Sequence, residues 1–175
     1  MFLKSNIMKR IIGFLVMLFV LIGCEPPMPI VPFVHEDWTN RILKANQIDS
    51  LELGKTYLSI YSQVYSRNKD IKHNLTAVAS LRNTSDSDTI YIVAANYYDT
   101  HGALVHVYIG DPIFLGPFET TEIVIEEHDI AGGTGSNFLF EWKAPAGCPD
   151  PLFEGVMIST LGQQGLSYIT HGVKI

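Results

Sequence analysis

The densest run of side chains that could bind or react is acidic: Glu119, Glu122, Glu126, Glu127 and Asp129, with His128 among them. Glu126, Glu127, His128 and Asp129 offer the oxygen-rich donor set that a hard cation takes. Half of the run has a plainer explanation. At a period of two, Ile123 and Ile125 face a core while Glu122 and Glu126 face water. The loop Gly132-Gly133-Thr134-Gly135-Ser136-Asn137 follows closely. A phosphate cradle needs a lysine and a following helix. This loop lacks the lysine and runs into the apolar Phe138-Leu139-Phe140, so it reads as a flexible connection or a binding loop. Tyr57, Tyr61 and Tyr65 recur at even spacing and would line one face of a strand, packed or offered to a glycan or peptide. His101 and His106 flank a predicted turn, whereas His35, His73, His128 and His171 are scattered. No pair has the spacing of helical metal ligands. A serine nucleophile would want a strand–turn–helix elbow, which is missing. No cofactor is expected.

Cys24 carries the sharpest chemical signal. It closes Leu21-Ile22-Gly23-Cys24, after an apolar run from Ile11 to Ile22 and the bases Lys4, Lys9 and Arg10. A basic start, a short apolar core and small residues before a cut make a secretory signal. A permanent span needs roughly 20 apolar residues, and this run is shorter. The ending resembles the lipobox of bacterial lipoproteins, which implies cleavage after residue 23 and lipidation of Cys24, with the membrane as the first partner. Glu25 is not the aspartate that most often marks inner-membrane retention, so the outer membrane, facing the periplasm, is the expected address where one exists.

Removing residues 1–23 takes away three bases and no acids, leaving nine bases against eighteen acids and a mature net charge of −9. That balance argues against nucleic acid as a partner. With Cys24 lipidated, Cys148 has no intramolecular partner, so no disulfide framework is expected. The remaining length suits one domain.

The elements that must position these residues follow from hydrophobic period. Residues 24–35 hold Pro26, Pro27, Pro29 and Pro32, an extended tether that cannot join a sheet. Residues 36–53 form a lead-in with a short helix from Asp37 to Gln47, placing Trp38, Ile42 and Ala45 near one face. From Thr56 onward the period is two. Strands are expected at Thr56–Tyr65, Leu75–Leu81, Ile90–Tyr98, Leu104–Val107, Phe118–Glu127, Phe138–Lys143, Phe153–Thr160 and Leu166–Thr170. Asp99-Thr100-His101-Gly102 makes a tight hairpin turn. Seven to eight antiparallel strands with almost no helix suggest an all-β, immunoglobulin-like β-sandwich over residues 54–175. Its expected core is Leu75, Leu81, Ile90, Ile92, Ile123, Ile125, Phe138, Trp142, Val156 and Ile158.

Several short stretches stand in order along the chain: Tyr61-Ser62 with Tyr65, Leu81-Arg82-Asn83-Thr84, Tyr97-Tyr98-Asp99-Thr100 with Gly102, Leu115-Gly116-Pro117, Gly132-Gly133 with Gly135 and Asn137-Phe138, and Gly162-Gln163-Gln164-Gly165. On these, the chain from Gly54 to the C-terminus resembles a bacterial envelope family known only as domain of unknown function 3124. The resemblance implies a single β domain in the envelope, and it transfers no catalytic or ligand residue.

The expected function is a lipid-anchored envelope module that binds or assembles without catalysis, with an envelope protein or a glycan as its partner. Its contact candidates are the loop tips: His101 and Gly102, Gly132, Gly133, Gly135 and Asn137, and Gln163 and Gln164. The alternative is an envelope enzyme or metal-dependent sensor built on Glu126, Glu127, His128 and Asp129.

Overall fold

A computed structural model describes residues 37–43, 48, 50–160 and 165–175. Cys24, the signal, the tether, Ala45, Gln163 and Gln164 lie outside the described residues. Within them the protein is all-β: twelve strands in antiparallel sheets and a single 3-10 turn, Thr39–Arg41.

The strands are β1 Glu52–Ser59, β2 Gln63–Tyr65, β3 Lys72–Asn74, β4 Thr76–Arg82, β5 Ile90–Tyr98 and β6 Leu104–Ile109. They continue with β7 Ile113–Leu115, β8 Thr120–Ile125, β9 Asn137–Ala144, β10 Leu152–Ser159, β11 Leu166–His171 and β12 Val173–Lys174. One sheet runs β12-β1-β9-β5-β6, with β7 also on β5; a second runs β11-β10-β4-β8; β2 and β3 form a small ribbon.

Both larger sheets bury their inward rows in one core. β9 is the clearest case, with Phe138, Phe140, Trp142 and Ala144 buried at alternate positions as a half-buried strand requires. Phe140 stacks on Phe138 at 5.1 Å and on Phe153 of the other sheet at 4.5 Å, each pair within 12° of parallel. Such aromatic pairs are worth about 0.5–1.5 kcal/mol each beyond their buried area. Opposite Trp142 in the register is Gly54. A Cβ there would lie 2.2 Å from the indole ring, so the ring occupies the space a side chain would need. The indole nitrogen donates to Thr56 Oγ1 at 3.0 Å.

Four expectations are corrected. There are twelve strands rather than seven or eight, because β2, β3, β7 and β12 are two or three residues long, too short to establish a period. The strand expected from Thr56 to Tyr65 breaks after Ser59; Ile60 N still bonds Ser136 O, but Gln63–Tyr65 turns away to pair with β3. Of the helix expected from Asp37 to Gln47, residues 44–47 lie outside the described residues, and the described part holds one 3-10 turn, ended by Ile42 in extended geometry bridging Ile113. Finally, Val156 is only half-buried and Ile158 is 40% exposed. β10 sits one residue out of the expected phase, turning Phe153, Gly155, Met157 and Ser159 inward. The aliphatic pair was misleading because cross-strand Val78 and Ile169 give Val156 an apolar outer row of its own.

The other eight expected core residues are buried. At one end of the molecule Asn83 knits the loops: its Nδ2 donates to the carbonyls of Asp88, Leu115 and Gly116, and its Oδ1 accepts from Ser85 N. The lead-in joins this end, with Trp38 Nε1 donating to Thr121 and Arg41 paired with Glu119.

Candidate functional site

The opposite end gathers the last residues of β1, β5, β8 and β10 and the first of β4, β6, β9 and β11. There the glycine loop is held rather than flexible. Thr100 N and Thr100 Oγ1 each donate to Gly132 O at 3.0 Å, and Thr100 Oγ1 accepts from Gly135 N at 2.9 Å. Gly133 N donates to Ser62 Oγ at 2.9 Å, and Gln63 N donates to Gly133 O. Ser136 Oγ donates to Ile60 O and accepts from the Tyr97 hydroxyl at 3.1 Å.

Three chain segments far apart in sequence are thereby tied into one rigid platform. Buried polar groups tolerate this only because they are paired. The glycines are required by space. A Cβ on Gly132 would fall 1.8 Å from the Tyr97 oxygen, and Gly133 has φ +76 with Thr100 Oγ1 2.8 Å from where its Cβ would be. Burial pushes the Tyr97 phenol above its ordinary pKa, with Ser136 opposing, so it stays a neutral donor.

From the platform projects the β5–β6 hairpin. Asp99 Oδ1 accepts from His101 N and Ala103 N, both at 2.8 Å, Gly102 N donates to Asp99 O, and Gly102 has φ +81. The backbone donor of Ala103, with that of His101, holds the Asp99 carboxyl below its usual range. His101 and Gly102 are exposed at its tip.

Beside the hairpin, a cleft of about 280 Å³ opens between β6 and β8. Val105, His106 and Tyr108 line one wall; Val124, Ile125, Glu126, His128 and Asp129 line the other. Burial first, and the Asp129 charge second, push the Tyr108 phenol up to about 12. Glu126 pairs with His128 at 3.0 Å, and Asp129 Oδ1 accepts from Ala131 N. Among the described residues no group of three or more His, Cys, Asp or Glu is placed to hold a metal ion.

The structure thus brings the hairpin tip, the glycine loop and Asn137 to one end, and sets Glu126, His128 and Asp129 on the adjoining cleft. It does not assemble the tyrosine row. Tyr57 stands on the outer face of β1, opposite Leu139 and Val173. Tyr61 is half-buried 6.0 Å from Tyr168, and Tyr65 is exposed at the end of β2, 5.4 Å below Lys72 Nζ. Sequence reasoning missed Ser62, Thr100 and Ser136, whose hydroxyls bind the platform, and the β6 wall of the cleft. The spacing of Thr100 within the hairpin gave no sign that its hydroxyl crosses to another loop. Cys148 is half-buried, and burial raises its thiol pKa.

The family model described as protein of unknown function (DUF3124) matches residues 54–175, and the chain belongs to that family. No curated protein matches the chain. A solved structure, the crystal structure of Thermotoga maritima 1070, is similar over 69% of this chain and 92% of its own, at 10% identity and a TM-score of 0.43.

Proposed function

We propose that the protein is a lipid-anchored module of the bacterial envelope that binds or assembles with another envelope component without catalysis. The observation that carries the reading is the platform. Thr100, Ser62, Ser136 and Tyr97 hold three loops in one geometry and leave the His101–Gly102 tip exposed above them. Recognition loops on a rigid β scaffold work in this way, because little ordering entropy is lost on contact. The two sheets with a shared core support an immunoglobulin-like sandwich as the scaffold. Cys24, after its lipobox-like ending, supplies the anchor in this reading. The lead-in joins at the Asn83 end, which leaves the tip at the far end from the chain's entry.

Crosslinking in intact cells followed by pull-down of the full chain tests the reading. A discrete protein adduct is expected, weakened several-fold by His101→Asp and unchanged by Ala146→Asp, at an exposed residue of the β9–β10 loop, which reaches the Asn83 end through the Thr84 Oγ1 bond to Asp150 O. Equal loss with both variants, or an adduct indifferent to both, contradicts a tip-directed contact.

A further inference from the structure

We propose that the outer edge of β6 takes an extended segment of another protein by strand addition, with a lysine or arginine of that segment entering the cleft beside Glu126 and Asp129. The inference rests on the binding-module reading and adds an edge contact beside the tip. β6 ends its sheet, with β5 on one side and no strand on the other among the described residues. A strand in that position presents unpaired N–H and C=O groups, and proteins usually blunt such edges with lysine, proline or a cover. β6 is Leu104-Val105-His106-Val107-Tyr108-Ile109, with no lysine or proline and no covering strand among the described residues; its one blunting device is the irregular pairing with β5. Leu104 is 53% exposed, Val105 37% and Val107 45%. β-Branched residues at an open edge favour a further strand. Two register shifts against β5 twist the strand, which limits the usable edge to a short segment.

Charge selects the occupant. Glu126 and Asp129 stand on the cleft wall facing β6, Glu127 adjoins them, and among the described residues no lysine or arginine lines the cleft. Among the described residues that line it, His106 and His128 are the basic groups, and His128 is already paired with Glu126. A second copy of this chain is a poor occupant, since its own β6 has no lysine or arginine and brings the same acids. Alternate side chains of an added strand point to one face. One basic residue on that face therefore reaches the cleft while its neighbours pack on Val105.

The full chain, purified in detergent, is titrated with a labelled peptide of roughly eight residues alternating lysine and valine, and with its glutamate–valine counterpart. The lysine peptide is expected to bind at least tenfold more tightly, to slow amide exchange across β6, and to lose about tenfold on E126Q/D129N. Failure of the lysine peptide to bind, equal binding of both peptides, or protection elsewhere than β6 overturns the proposal. Self-association through β6, or preferential binding of a neutral glycan at this edge, overturns it equally. The pull-down with His101→Asp reads the tip independently, so a failed peptide titration leaves that result standing.

Discussion

Gly132 shows how far the platform depends on single atoms. Its hydrogen stands where a Cβ would lie 1.8 Å from the Tyr97 oxygen and 2.7 Å from Ser136 Oγ. Gly132→Ala should therefore destabilise the domain by about 1–3 kcal/mol through overpacking. Tyr97→Phe removes the clashing oxygen, so the pair should be less costly together than the sum of the two single changes. Denaturant melts of the four proteins in the cycle check this, and strict additivity would place the strain elsewhere. Asp99 makes a second residue-scale prediction, in pH. Its carboxyl is held below the ordinary value by backbone donors, so it contributes stability above its unfolded pKa of about 3.9. That stability is lost as pH falls through the lower folded value. Asp99→Ala should lower the melting temperature at pH 7 and have a vanishing effect at strongly acid pH. An effect of equal size at both would show that the charge is not what holds the turn.

β10 carries the lesson at the scale of elements. Its existence is legible in the sequence, but its phase is not. Val156 and Ile158 look like core, while Phe153, Gly155, Met157 and Ser159 are what the sheet turns inward. Gly155 and Ser159 are inward because of neighbours, with Thr170 Oγ1 2.6 Å from where a Gly155 Cβ would be, and neighbours are invisible to a period. Met157→Ala should cost about 2–5 kcal/mol, and Ile158→Thr within about 0.5 kcal/mol; a reversed order in chemical denaturation would refute the register. β9 was legible because it alternates cleanly and pairs with β1 along its full length; β5 was legible as a strand, but a register shift between Ile92 and Ala94 changes its phase, so Ala95 rather than Ala94 is buried. The hairpin turn was legible from Asp99 and Gly102, since local hydrogen bonding and positive φ are written in residue types. The platform beneath it was not. Ser62, Thr100 and Ser136 are ordinary hydroxyls in sequence, and they become a site only when three loops meet.

At the scale of the whole molecule, the Asn83 end receives the lead-in and the glycine end presents the tip, and the proposed anchor sets the chain in the envelope. Cys24→Ala should abolish labelling by a palmitate analogue; unchanged labelling would remove the lipid anchor from the account. In the proposed function, the tip at the glycine end is the contacting surface. A photo-crosslinking residue placed at His101, and separately at Ala146, tests it most directly in living cells. A discrete higher-mass adduct is expected from His101 and none from Ala146. An adduct from Ala146 alone, or none from His101, would contradict it.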